Sequence, residues 1–228
     1  MIISRDPVSG PVKVMAVWTD FGGVLTPPIT HTFMNFCRSQ QVEPEPVMNA
    51  VLKVTATYDT DDIMMPLDTP LVSEEDWLRQ VADVLRDDYG IVGQLDSLAD
   101  AWFDGRETNR EWLEQLERVK ARGLFVGMLS NMVPSWDEHW RRMVPVEKIF
   151  DDVVLSFEVG VRKPAREIFD LAARRAALAP GECVLIDDSS KNCAGAAAAG
   201  WRAVHFLDAA TAAAQLEAIL GADPGSAD

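Results

Sequence analysis

The sequence predicts an α/β protein built on a parallel sheet with one helical insertion, and three observations carry that reading. Short apolar, β-rich runs alternate with helical patterns; each run stops at a cluster of polar residues; and the alternation breaks once, from about 27 to about 106. Alternation of this kind implies right-handed crossovers and a sheet covered on both faces. Ligands then sit beyond the carboxyl ends of the strands, where the polar clusters converge.

In chain order, Val12 to Trp18 reads as a buried strand opening into Thr19-Asp20-Phe21-Gly22-Gly23. The insertion follows. It holds amphipathic stretches at Val47 to Val54 and at Glu75 to Tyr89, the latter with Trp77, Leu78, Val81 and Leu85 on one face. Between them, Asp59 to Pro70 is acidic, contains two prolines and reads as a loop. An all-helical segment placed directly after the first strand is expected to act as a cap over the site. Beyond it, Glu111 to Arg122 sets Trp112, Leu113, Leu116 and Val119 on one helical face and stops at Gly123.

The second strand, Leu124 to Leu129, ends in Ser130-Asn131. Ser135 with Glu138 offers a capping box to a helix through His139 and Trp140. A third strand, Val153 to Phe157, leads into a loop ending Arg162-Lys163-Pro164, and Ala165 to Ala177 reads as the next helix. Cys183 to Ile186 ends in Asp187-Asp188, Ala194 to Ala199 reads as a tightly packed helix, and Ala203 to Phe206 is a weaker fifth strand. Asp208 is placed to cap a helix over Ala209 to Leu220, and Gly221 to Asp228 reads as a frayed tail.

Composition narrows the function classes. The 228 residues are 48% hydrophobic and 25% charged, and no apolar run approaches the roughly 20 residues needed to span a bilayer. Met1 to Pro11 has neither a basic start with an apolar stretch nor a small-residue cleavage site, so a cytoplasmic location is expected. Cys37, Cys183 and Cys193 form neither a disulfide framework nor a zinc pattern. His31, His139 and His205 are equally scattered. A formal charge of -15 opposes nucleic-acid binding, and it also repels phosphorylated metabolites, so any phosphate site needs local positive charge or a metal. Oligomeric state stays open, because Trp77, Trp102, Trp112, Trp136 and Trp140 fit either a core or an interface.

Four polar clusters at strand ends carry the chemistry. Asp20 precedes Gly22 and Gly23, whose missing side chains let backbone N–H groups approach a ligand, and a carboxylate there can attack phosphorus. Asp187 and Asp188 are costly to bring near Asp20 unless a divalent cation binds between them, and hard oxygen ligands favour magnesium. Ser130 and Asn131 supply donors. The Lys163 ammonium neutralises phosphate and holds Asp20 against carboxylate repulsion.

TDFGGVLT at Thr19 to Thr26, LSN at Leu129 to Asn131, RKP at Arg162 to Pro164 and IDDSSKN at Ile186 to Asn192 resemble the four ordered motifs of the haloacid dehalogenase superfamily. The DFGGVL form is similar to the subgroup containing the phosphatase domain of epoxide hydrolase-like proteins. The resemblance implies a Rossmann-like core over residues 1–26 and 107–228, strand order 5-4-1-2-3, and a helical cap over 27–106. It further implies Asp20 as nucleophile, with Asp20, the Gly22 carbonyl, Asp188 and Asp187 holding magnesium, Asp187 directly or through water. Ser130, Asn131, Lys163 and the N–H groups near Phe21 and Gly23 would hold phosphoryl oxygens. The implied activity is hydrolysis of a small phosphomonoester through an aspartyl-phosphate.

One departure matters: the residue two after the nucleophile, an Asp serving as general acid and base in most phosphatases of the superfamily, is Gly22 here. His31, Asp59 and Asp61 are cap-side candidates for that role. Thr19 also stands where an apolar or aromatic residue is common. Two alternatives stay open, a non-catalytic or regulatory binding protein that lost its acid/base, and a 2-haloacid dehalogenase using the same nucleophile on carbon. A phosphomutase is disfavoured, since it needs the Asp missing at Gly22.

Overall fold

The computed structural model describes residues 12–92 and 98–221. Five parallel strands form one sheet in the order β3-β2-β1-β4-β5, which is the expected order read from the other edge. They are β1 (Ala16–Thr19), β2 (Phe125–Ser130), β3 (Asp152–Leu155), β4 (Cys183–Asp187) and β5 (Arg202–His205). β1 lies at the centre, with Thr19 opposite Met128 on one side and Ile186 on the other. That register brings the residues following three strands to one edge.

The insertion between β1 and the next core helix consists of α1 (Ile29–Ser39), α2 (Pro44–Ala56), the single turn α3 (Met65–Asp68), α4 (Glu74–Tyr89) and α5 (Leu98–Phe103). α2 packs on α4, and α1 packs on α5. α4 starts at Ser73, whose side chain accepts from the Asp76 N–H, and stops at Gly90 in the left-handed region. The acidic segment read as a loop therefore carries one helical turn. The core continues with α6 (Arg110–Ala121), α7 (Asp137–Met143), α8 (Val146–Ile149), the turn α9 (Ser156–Val159), α10 (Arg166–Arg175), α11 (Ser190–Ala198) and α12 (Ala209–Gly221). The expected frayed tail falls, beyond Gly221, outside the described residues.

Two boundary expectations change. Phe157 leaves the third strand for α9, so Lys163 sits well past the strand end in the loop after that turn. The capping box at Ser135 does not form: a 3-10 turn over Pro134–Trp136 precedes α7, and the Ser135 hydroxyl donates to the Glu74 carboxylate of α4 instead. A nearby tertiary acceptor outcompetes the local cap. Asp208 does cap α12, accepting from the Thr211 N–H at 2.7 Å.

Alternation along β1 sends Ala16 and Trp18 to one face of the sheet, with Phe169 of α10 and Trp201, and Val17 to the other, with Trp112 of α6 and Leu216 of α12. The second cluster runs without a break into the insertion, taking in Phe36, Val51, Trp77 and Val81. Trp77, Trp102, Trp112, Trp136 and Trp140 are all buried within this single chain, so they belong to its core. Buried Thr19 is accounted for as well. Its hydroxyl accepts from the Trp112 indole N–H at 3.1 Å and donates to the Asp20 carbonyl.

Trp112→Phe should lower stability in urea unfolding by about 2–3 kcal/mol, from lost volume and an unsatisfied hydroxyl. Adding Thr19→Val should cost less than additivity predicts, by about 1 kcal/mol, because both polar partners are then gone. Strict additivity would mean the hydrogen bond contributes nothing.

Candidate active site

The residue after β1 and those ending β2 and β4 meet at one edge of the sheet because the three strands are neighbours in register. Asp20, Asp187 and Asp188 each present a carboxylate oxygen within 4.8 Å of the others. Lys163 is fully buried among them, its Nζ 2.5 Å from Asp187 Oδ2 and 3.1 Å from Asp20 Oδ1. Phe21 N–H also donates to Asp20 Oδ1, at 2.7 Å, and Ser130 lines the same cavity as that carboxylate. All four sequence motifs thus converge.

Backbone fit explains the glycines. Gly23 has φ +75°, and a Cβ there would fall 1.9 Å from Asp188 Oδ2, so only glycine admits the carboxylate at that distance. Gly195 of α11 lies against Pro164, where a Cβ would meet the proline Cβ and carbonyl at 2.6 Å; that close approach seats the lysine loop on the helix. Gly22 differs: a Cβ there would have nothing within 4 Å, and the residue lines the cavity.

Hydrogen bonds separate the roles of neighbouring residues. Asp187 Oδ2 takes the Lys163 ammonium, while Oδ1 accepts from Ser189 N–H at 2.9 Å and from the Asn192 amide at 3.0 Å. Its acceptor capacity is largely used within the protein. Asn131 clamps the lysine loop from both sides, its amide donating to the Lys163 carbonyl at 3.0 Å and its Oδ1 accepting from Lys163 N–H at 2.8 Å. The side chain expected to face a ligand is thus engaged with backbone.

Three ionised carboxylates beside one ammonium leave two negative charges in excess in a largely buried space. Burial first, then Asp187 and Asp188, drives Asp20 up to about 7 despite the Lys163 ammonium, and burial with Asp187 raises Asp188. Carboxylate oxygens gathered within 4.8 Å of one another are near enough for a single ion to draw together. The all-oxygen donor set and the uncompensated charge fit a hard divalent cation.

A cavity of about 190 Å³ opens over these groups. Its wall contains Asp20, Gly22, Ser130, Lys163 and Asp188 from the core, and Asp62, Asp68, Trp102 and Arg106 from the insertion and the chain just after it. His31, Asp59 and Asp61, the expected cap-side candidates, are exposed and do not line it; Asp62 and Asp68 do. Both bind Arg162, whose Nη1 is 2.7 Å from Asp62 Oδ2 and whose Nε is 2.7 Å from Asp68 Oδ1. This cluster ties the insertion to the lysine loop. Burial pushes Asp68 up to about 6, against the pull of Arg162.

Sequence reading also missed Arg106. Its guanidinium carbon lies 5.4 Å from the Phe103 ring centre and 5.7 Å from that of Phe21, and its buried Nε has no hydrogen-bond partner among the described residues. Burial lowers its pKa to about 10, partly offset by the Asp20 charge. Its position where the chain rejoins the core was the one available signal.

A sequence model of the family described as haloacid dehalogenase-like hydrolase matches residues 14–200. A D-ribitol-5-phosphate phosphatase from Bacteroides thetaiotaomicron is 31% identical over 115 residues, covering 43% of this chain and 56% of that one. Aligned stretches cover 10% to 56% of the curated relatives, so the chain spans about half their length or less. The fold is similar to that of an HAD family enzyme from Bacteroides thetaiotaomicron in complex with magnesium and inorganic phosphate (TM-score 0.60, 22% identity, 84% and 93% of the two chains). It is also similar to that of L-2-haloacid dehalogenase from Xanthobacter autotrophicus with chloropropionic acid covalently bound (TM-score 0.59, 15% identity, 83% and 76%). Among the described residues, no helix is long and apolar enough to cross a membrane.

The raised carboxyls give a signed expectation. Asp20 binds its proton more tightly folded than at its ordinary 3.8, so without a divalent cation stability should fall as pH rises from about 4 to about 7. Asp188 and Asp68 act in the same direction. Asp62, which burial raises but Arg162 holds below its ordinary value, acts oppositely at lower pH. Magnesium should therefore raise the melting temperature by several degrees at pH 7.5 and by clearly less at pH 5. A thermal shift indifferent to magnesium at both pH values would contradict the cation fit.

Proposed function

From the premise that the chain belongs to the haloacid dehalogenase-like hydrolase family, we propose that it is a magnesium-dependent phosphatase of a small phosphomonoester, working through an aspartyl-phosphate on Asp20. The observation carrying this reading is the meeting of Asp20, Asp187 and Asp188 around buried Lys163, with phosphatases among the relatives that match the chain. A magnesium ion held by Asp20, Asp188 and the Gly22 carbonyl would neutralise charge on the transferring phosphoryl group. Asp187 acts through Lys163, fixing the ammonium and not the ion, and Asn131 acts by clamping the lysine backbone.

Phosphoryl transfer depends mainly on positioning and charge neutralisation. An Asp20 carboxylate oxygen attacks phosphorus; the ester oxygen departs with the bonding electrons and takes up a proton; water then attacks the acyl phosphate and releases phosphate. Lys163, the Ser130 hydroxyl and the backbone N–H groups near Phe21 and Gly23 hold the phosphoryl oxygens through both displacements. Arg106 adds a second cation above the nucleophile, stacked on aromatic rings and free to donate through Nε. The same cavity with a carboxylate nucleophile would serve a 2-haloacid dehalogenase, in which a neighbouring carboxylate could activate the water that hydrolyses the ester but no divalent cation is needed.

Asp20→Asn should lower magnesium-dependent phosphate release from a phosphomonoester panel by at least about a thousandfold, and EDTA should abolish it in the wild type. Halide release from a 2-haloacid in EDTA would instead support the dehalogenase. Phosphate or magnesium binding in calorimetry, with equal background rates in wild type and Asp20→Asn, would indicate a non-catalytic binding protein.

With no carboxyl at residue 22, the rate should depend steeply on leaving-group acidity. Gly22→Asp places its Cβ in open space, so it should fold and accelerate alkyl phosphate hydrolysis about a hundredfold while changing p-nitrophenyl phosphate far less. Equal effects on both substrates would mean residue 22 is not the missing acid position.

A further inference from the structure

Inside the insertion lies a second cavity, of about 260 Å³, enclosed by α1, α2, α4 and α5 and the chain around Met64. Its wall is made of aliphatic, methionine and aromatic side chains; Thr30 is the one lining residue with a hydroxyl. The chamber adjoins the catalytic cavity, with only shared side chains between the two. Ile29, Met64, Trp102 and Trp136 belong to both walls, so the apolar space begins where the polar space over Asp20 ends.

A packing defect is a poor account of such a space. Protein interiors are close-packed, and voids much larger than a water are few, whereas a cavity of about 150 Å³ already accommodates benzene. By that measure the chamber holds about ten carbons. It also suits the charge: the chain carries a formal -15, which repels a phosphate monoester at long range, so burial of an uncharged part of the substrate adds to what the local cations supply.

Building on the phosphatase reading, we infer that the substrate is the phosphate monoester of a hydrophobic alcohol of about eight to ten carbons, with its phosphate over Asp20 and its hydrocarbon in the chamber between α1, α2, α4 and α5. Met64, Trp102 and Trp136 form the junction through which the ester carbon passes. Polar sugar or amino-acid phosphates leave the chamber unfilled. The hydrolysis itself is unchanged: phosphorus passes to Asp20 and then to water, and the alcohol leaves with one proton.

The full chain with magnesium is assayed for phosphate release on ethyl, butyl, hexyl, octyl and decyl phosphate beside a panel of sugar phosphates. In the wild type kcat/KM should rise about three- to fourfold per methylene up to the octyl or decyl ester and then level. Val51→Phe, which fills the chamber, should cut the octyl-to-ethyl ratio at least tenfold; Met48→Trp, at a partly exposed lining position, makes the same test should Val51→Phe fail to fold. Binding of n-octanol, followed by the fluorescence of Trp77, Trp102 and Trp136 in wild type and Asp20→Asn, reads the chamber without turnover. A flat chain-length profile with active hydrolysis overturns this inference and leaves the phosphatase reading intact. Saturable octanol binding lost in the filling variant, with no ester or sugar phosphate hydrolysed, upholds the chamber and overturns the phosphatase. Absence of both octanol binding and turnover overturns both.

Discussion

A buried ammonium between two carboxylates organises this protein. Lys163 has no exposed side-chain surface and touches Asp20 and Asp187, which belong to the ends of adjacent strands. Taking such charges out of water costs several kcal/mol per ion, and their attraction offsets this only with good geometry and further hydrogen bonds. The surrounding structure supplies both. Asn131 holds the lysine backbone, Ser189 and Asn192 complete Asp187, and Phe21 N–H donates to Asp20. Even so, the ammonium cannot neutralise three acidic groups, and the remaining charge makes a divalent cation the natural complement.

The insertion forms part of the wall over this centre. Its apolar core is continuous with one face of the sheet, and Arg162 binds Asp62 and Asp68 across the cavity. Breaking one side of so buried an ion cluster would leave a charge uncompensated, so the insertion and the lysine loop are coupled. Polar residues of that cluster line the same cavity as Asp20, and the helices behind it surround hydrocarbon-lined space.

Much of the candidate site was legible in the residues. Short apolar runs followed by polar clusters located the strand ends at Thr19, Ser130 and Asp187 within a residue, because a buried parallel strand is apolar throughout and must surrender that character where the chain meets solvent. Ordered motifs then picked out residues that the structure brings to one cavity. What failed was local chemistry with a distant competitor: Ser135 looked like a cap but donates to Glu74. Among the acidic residues of the 59–70 segment, nothing in the sequence distinguished exposed Asp59 and Asp61 from Asp62 and Asp68 on the cavity wall.

The sequence by itself determined the α/β class, the place of the helical insertion and the four clusters that carry chemistry, since periodicity and strand-terminal polarity are local consequences of burial. Only the tertiary structure decided which of two adjacent aspartates binds the lysine, that Arg106 shares a cavity wall with Asp20, and that the insertion surrounds an apolar chamber beside the site. Those outcomes depend on side chains from distant segments competing for the same few ångströms, and no pattern along a single chain encodes the distance between them.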